Sequence, residues 1–362
     1  MSFRVNYQPE ALFTIETNNE FVWRKTRLTP AIAAAAAEFG IAPIYEVAIV
    51  SKRNPNSHLY WLKSDDDFIL RQVDLRAREI TGQQCFVANA LPYQNIVKPL
   101  FARDGSYALA AGGSTWMAYP KKAGQIFSGL NCSPLKVIDE AIKLERSFGI
   151  VESSLSPESR KYLPVVEHHP EQWREFFVQL VDADRSANVL PTKLSFSTQQ
   201  LLFNNPHIVG RWIEPAIELP LKDHVGLTHN DLQHANVLID ERGEPFFLDL
   251  EDICLENRKI AIGHAVFKLL RHTAFTQAQP ASRLRSLLPA VLDLLKLNDF
   301  DFADRQELFL YGAYRIVSDI WEIVDYSRRY DQSQLYDLEK RIQNLFELFY
   351  LVSEEDESVA AR

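Results

Sequence analysis

The densest polar constellation in this 362-residue chain is Thr228-His229-Asn230-Asp231-Leu232-Gln233-His234-Ala235-Asn236. An Asp can accept a proton from an attacking hydroxyl, and Asn and Asp oxygens are hard ligands for a small divalent cation. Two apolar runs follow, Val237–Ile239 and Phe246–Leu248, separated by a turn containing Gly243, and then comes Asp249-Leu250-Glu251-Asp252. Such a pattern predicts a hairpin with polar residues just before its first strand and just after its second. The hairpin brings Asp231, Asn236 and Asp249 toward one end. Two oxygen ligands and a further carboxylate placed there suit Mg2+ with phosphate oxygens in its shell, which is the chemistry of phosphoryl transfer. An isolated Asp, Asn or His beside a turn usually caps its own backbone. The joint spacing H-x-D-x4-N, followed by an apolar strand that ends in Asp, gives these residues their weight.

The surrounding elements must hold this island in place. Pro30 and Gly40 bracket a short Ala-rich helix. Ile44–Val50, His58–Lys63 and Phe68–Val73 read as strands, with a turn at Ser64-Asp65-Asp66-Asp67. Arg76–Ala90 reads as a helix, and Asn95–Ala102, Tyr107–Ala111 and Ser114–Tyr119 as further strands. Beyond Pro120 the spacing turns helical over Pro134–Phe148, Pro170–Ser186, Ser197–Phe203 and His207–Ala216, and again from Ala261 onward. Strands early and helices late imply an α+β chain of two lobes. The expected division is 1–119, a small β-rich lobe with a helical N-terminal extension, and 120–362, a large mainly helical lobe. A hinge is expected at Tyr119–Gly124.

The motif His229-x-Asp231-x4-Asn236 followed by Asp249 resembles the catalytic and metal-binding core of the aminoglycoside phosphotransferase and choline kinase superfamily, which has the protein-kinase-like fold. The resemblance spans roughly 30–350 and is specific over roughly 227–264. It implies an ATP- and Mg2+-dependent kinase that phosphorylates a hydroxyl of a small molecule. Asp231 would be the catalytic base, His229 the support of its loop, and Asn236 and Asp249 the metal ligands. His229-Asn230-Asp231 is closest to the choline and ethanolamine kinase branch, and Trp321 within Ser318-Asp319-Ile320-Trp321 resembles that branch's substrate-holding helix. The chain departs from the pattern at Gln233, where the family has a second His, at Ala261 in the following helix, and at Ser318.

The same resemblance places ATP in the small lobe. Arg71, on the third strand, would take the cation's position beside the phosphates, with Glu79 on the next helix as its partner. Met117 and Tyr119 would lie on the strand that meets adenine. No glycine occurs in Val50–Tyr60, where a phosphate-covering loop would fall. Glu251 and Asp252 are candidates for attracting a cationic acceptor, with Trp321 as the aromatic contact. Choline, ethanolamine, homoserine, an amino sugar and an aminoglycoside all remain open as acceptors, as does a catalytically weak nucleotide-binding pseudokinase. A protein kinase is disfavoured: about a dozen residues separate Asp249 from the next expected helix, and no Ala-Pro-Glu string follows.

Composition sets the outer bounds. The net charge of −9 and the absence of a basic block argue against nucleic acid as a partner. The longest apolar run, Ala31–Ala37, is far short of the roughly 20 residues that cross a bilayer. No apolar signal region opens the sequence, so a cytoplasmic location is expected. The three cysteines form no CxxC pair, which supports neither a disulfide framework nor a thiolate metal site.

Overall fold

The computed structural model describes residues 24–50, 58–168, 170–181, 194–221, 224–276, 280–330 and 335–352. The segment expected to cover phosphate, 51–57, lies outside the described residues. The small lobe is an antiparallel sheet in the order β1-β2-β3-β4-β6-β5. Its strands are β1 (Arg24–Lys25), β2 (Glu46–Val50), β3 (His58–Lys63), β4 (Asp67–Asp74), β5 (Leu109–Ala111) and β6 (Ser114–Pro120). Helix α1 (Pro30–Glu38) covers one face of this sheet, and helix α2 (Arg78–Ala90) follows β4. Thr29 starts α1 because its hydroxyl accepts the Ile32 N–H at 3.3 Å, and Pro30 sits in the first turn, where no N–H is needed.

Strand alternation sorts the β4 side chains. Leu70 is fully buried and packs with Leu62, Ala118, Ile32 and Ala36. Ile69 and Arg71 point to the opposite face, where Leu59 lies opposite Arg71 on β3 and Tyr119 lies opposite Ile69 on β6. That second face looks toward the large lobe. Asn95–Ala102, expected as a strand, is extended but makes a single bridge, Ile96 to Phe247. Its Pro99 has no N–H to give a ladder, and its neighbours spend theirs singly, Val97 on Phe247 and Leu100 on Ala118.

After β6 the chain drops onto the predicted hairpin. β9 (Val237–Ile239) and β10 (Pro245–Phe247) pair antiparallel with Val237 opposite Phe247, and β7 (Gln125–Ile126) adds to β9. Gly124 makes this descent possible. It sits at φ +151°, and a Cβ there would lie 2.3 Å from Leu238 Cδ2 and 2.6 Å from the Ile239 carbonyl oxygen. A strand absent from the sequence reading, β11 (Cys254–Asn257), pairs with β8 (Val225–Thr228), which leads into the loop that carries Asp231.

The rest of the large lobe is helical: α3 (Pro134–Glu152), α4 (Pro157–Arg160), α5 (Pro170–Val181), α6 (Phe196–Asn204), α7 (Pro206–Ile217), α8 (Arg258–Thr276), α9 (Ala281–Arg285), α10 (Leu288–Leu297), α11 (Arg305–Tyr330) and α12 (Leu335–Val352). Among the described residues no helix is long and apolar enough to cross a membrane. Helices α8 and α11 touch backbone to backbone at Gly263 and Gly312. A Cβ on Gly263 would meet the Leu308 carbonyl oxygen at 2.6 Å and the Gly312 nitrogen at 3.0 Å. Backbone cannot yield as a side chain can, so Gly263→Ala is expected to cost about 3 kcal/mol by overpacking. A fall in the urea midpoint with an unchanged m-value would show it.

Candidate active site between the lobes

The loop that carries Asp231 is held from three sides. His229 is buried, and its Nε2 lies 3.1 Å from the Leu248 carbonyl oxygen, just before Asp249. The His229 backbone N–H donates to Glu145 Oε1 at 3.0 Å. The Asp231 backbone N–H faces His229 Nδ1 at 3.4 Å. Asn236 Nδ2 donates to the Asp231 carbonyl oxygen at 2.8 Å and to Asp231 Oδ2 at 3.1 Å. Gln233, at the position of the family's second His, donates to the same Oδ2 at 2.7 Å. Oδ2 is therefore committed, and Oδ1, which has no hydrogen bond to a described residue, is left to take a proton. Burial raises the Asp231 carboxyl above the ordinary range, against the pull of Arg341, His229 and Lys268.

Glu145 was not found by sequence reasoning, although a signal for it exists. It sits in the buried stripe of α3, four residues after Ala141 and three before Phe148, where an apolar residue would be expected. Burial pushes its carboxyl up. Removing it with Glu145→Ala orphans the His229 N–H and should cost about 1–3 kcal/mol of stability in denaturant titration.

Asp249 stands at the far end of the hairpin in left-handed backbone, φ +55°, unusual for a residue with a Cβ. Its carboxylate and the Asn236 side chain line one cleft of about 250 Å³ between the lobes. Apolar side chains from both lobes wall this cleft, among them Leu59, Ile69, Val97 and Leu238, and Tyr119–Lys122 line it at the end of β6. The Asn236 Nδ2 bonds to Asp231 turn its carbonyl oxygen away from the loop. Asn236 and Asp249 thus offer hard oxygen donors into shared space, a set that fits Mg2+.

Arg71 reaches this floor but not by the expected contact. Its Nη1 lies 2.7 Å from Asp249 Oδ1 and 2.5 Å from Glu251 Oε2. Burial works against its charge, and the Glu251 and Asp249 carboxylates more than offset that, so its pKa is raised. Glu79 is exposed on the first turn of α2 and does not meet Arg71. The α2 side chains that turn inward near the site are uncharged: Gln84 Nε2 donates to the Ile253 carbonyl oxygen at 2.9 Å, and Cys85 packs on Met117 and Tyr119.

One further expectation is corrected. Glu251 does not stand open to an acceptor, because it is bound to Arg71 on one oxygen and accepts the Tyr119 hydroxyl on the other at 3.0 Å. The Met117 side chain is fully buried beside Cys85 and lies outside the residues that line the cleft, whereas Tyr119 lines it. Trp321 is half-buried against the helical core of the large lobe. Asp252 keeps a solvent-exposed face, yet its carboxyl rises to about 6 through burial first and then the charges of Asp249 and Asp231.

No protein-family model matches the chain, and no curated protein matches it in sequence. Solved structures do. A spectinomycin phosphotransferase in complex with ADP and spectinomycin superposes with a TM-score of 0.63 at 16% identity, covering 88% of this chain and 97% of its own. An aminoglycoside phosphotransferase from Alicyclobacillus acidocaldarius gives a TM-score of 0.60 at 12% identity, covering 94% and 98%. The macrolide 2'-phosphotransferase from Brachybacterium faecium gives 0.53 at 13%, covering 91% and 100%. The fold is protein-kinase-like. At these identities the superpositions bear on architecture, and both lobes take part in them.

Proposed function

We propose that this protein is an ATP-dependent kinase that transfers the γ-phosphoryl group to a hydroxyl of a small molecule. The observation that carries the reading is that Arg71, Asn236 and Asp249 line one interlobe cleft, with Asp231 hydrogen-bonded to Asn236 beside it. Lobes 1–119 and 120–362 would divide the labour, the first holding nucleotide and the second supplying base, metal ligands and acceptor site. The structural neighbours named above include a phosphotransferase solved with ADP, which supports a nucleotide in this cleft.

The apolar walls at Leu59, Ile69 and Leu238 suit a purine ring, with Tyr119–Lys122 along its edge. Arg71 lies where the phosphates would enter. Mg2+ held by Asn236 and Asp249 would neutralise charge on the phosphate oxygens. Asp231 Oδ1 orients the acceptor hydroxyl and accepts its proton as the new O–P bond forms. His229 and Glu145 fix the loop so that Oδ1 stays in place. The amino-alcohol acceptors suggested by the sequence lose Glu251 as a contact, and Asp252 is the carboxylate left to meet an amine.

The test is ADP release from Mg-ATP against a panel of amino alcohols, hydroxy acids, sugars and aminoglycosides. Acceptor-dependent release that needs Mg2+ is expected. Nucleotide binding without release across the panel and across water would favour the pseudokinase reading. The pH dependence carries its own expectation. A base whose carboxyl is raised by burial protonates at higher pH than the ordinary Asp value of about 3.9. The acid limb of kcat should therefore fall above that value, and a limb at or below it would contradict Asp231 as the base.

A further inference from the structure

The reading above leaves unused a basic cluster behind the catalytic loop. His264, Lys268 and His272 follow one another at four-residue spacing on α8 and so share a face. His272 stacks on His234 with ring centroids 3.6 Å apart and planes 5° apart. His234 is three residues beyond Asp231, so this face of α8 lies against the catalytic loop. Lys268, one turn before His272, is 4% exposed and makes no hydrogen bond or ion pair with a described residue. His264 is equally buried, and its Nε2 has no partner among the described residues.

Helices α11 and α12 close the other side. Asp319 receives Arg315 Nε at 3.0 Å and Arg341 Nε at 2.9 Å, so one carboxylate already serves two guanidinium groups. Glu256 is shared between His168 at 2.7 Å and Arg315 at 3.7 Å. Arg271 is bound to Glu347. Burial works against the charge of Lys268, as do Arg341, Arg271 and Lys340, while the Asp319 and Asp231 carboxylates favour it. The guanidinium groups thus have carboxylates beside them while Lys268 has no ion-pair partner among the described residues, and a buried ammonium without a paired counter-charge is costly. Arg341 keeps a quarter of its side chain exposed, which opens the cluster to solvent at that end. Both Arg341 and Lys268 act on the Asp231 carboxyl, which places the cluster within electrostatic reach of the base, as the His272–His234 stack also does.

We propose that Lys268 and Arg341 bind an anionic group of the phosphoryl acceptor, a carboxylate or a phosphate monoester, and so present its hydroxyl to Asp231. This rests on the kinase reading and narrows it, since it excludes acceptors with only cationic groups. An anion there would give the Lys268 ammonium its missing partner and engage the guanidinium edge that Asp319 leaves open.

The test is an equilibrium titration with inorganic phosphate, run with the cleft saturated by a non-hydrolysable ATP analogue and repeated without it. The proposal expects phosphate to bind with a Kd on the order of 1 mM. Lys268→Met and Arg341→Gln should each weaken it by about ten-fold, the worth of one charge-assisted contact, whereas Arg71→Met, titrated with the analogue raised until its cleft is filled, should not. Lys268→Met replaces a buried cation by an apolar group of similar length and should fold. Should it fail to fold, Arg341→Gln, at a partly exposed position, carries the comparison. Equal binding in all variants, loss only in Arg71→Met, or no binding at all would overturn the proposal. Failure of the kinase reading itself would show separately in the unsubstituted protein, as absence of ATP binding or as ATP binding with no ADP release to any acceptor. With acceptors in hand, glycerate against glycerol separates a carboxylate from a neutral polyol, and glycerol phosphate reports the phosphate source.

Discussion

Asp231→Asn is expected to lower turnover by about 10³-fold or more while leaving ATP affinity unchanged, because the proton acceptor is lost and the nucleotide contacts are not. The substitution keeps an oxygen to accept from Gln233 and Asn236, which hold the present Oδ2 at 2.7 and 3.1 Å, so the loop should stay in place. It should also stabilise the fold. The Asp231 carboxyl is raised in the folded protein by burial, so ionising it opposes folding. The gain from Asn is fully present above the raised folded value. It disappears as pH falls below the unfolded value near 3.9, where both states are protonated. Measuring kcat, ATP affinity and Tm across pH on the same pair of proteins checks all three. Preserved turnover, or an unchanged Tm at neutral pH, would contradict the assignment. A residue that destabilises its own fold is expected where function requires it.

Arg71 gives the second large effect. Arg71→Met should weaken ATP by about a hundred-fold, from the loss of its phosphate contact and of the charge balance at Asp249 and Glu251. Glu251→Gln should lower affinity as well, by about ten-fold, because Arg71 then leans on Asp249, the proposed metal ligand. Glu79→Gln should change nothing, since Glu79 is exposed and away from Arg71. The order of the three separates this arrangement from the helix-borne ion pair that the sequence suggested. A large effect at Glu79 and none at Glu251 would reverse it. Glu251 here acts as a positioning residue: it holds Arg71 from the large lobe and is itself fixed by the Tyr119 hydroxyl.

The contrast between Asp231 and Arg71 shows what the sequence could reveal. Asp231, Asn236 and Asp249 lie within one loop and hairpin, so alternation and a Gly turn sufficed to bring them together. The two-lobed α+β division followed from where strands and helices cluster along the chain. The partner of Arg71 lies about 180 residues away, and local pattern carries no trace of which carboxylate will meet it. A helix carboxylate was expected from resemblance, yet α2 presents Gln84 and Cys85 inward and leaves Glu79 on the surface. Glu145 is a charge inside an otherwise apolar helix face, which periodicity reads as core. Strand β11 escaped notice because Cys254-Leu255-Glu256-Asn257 carries no clear alternation until its partner β8 is known.

The most direct test of the central claim follows the γ-phosphorus itself. ATP labelled at that phosphorus is incubated with the protein, Mg2+ and a protein-free extract of small metabolites, and the products are separated. The account predicts that label moves, only with Mg2+, into a small phosphatase-sensitive ester and does not do so with the Asp231→Asn protein. Label that stays in ATP, or that ends on protein in place of a small molecule, would contradict it.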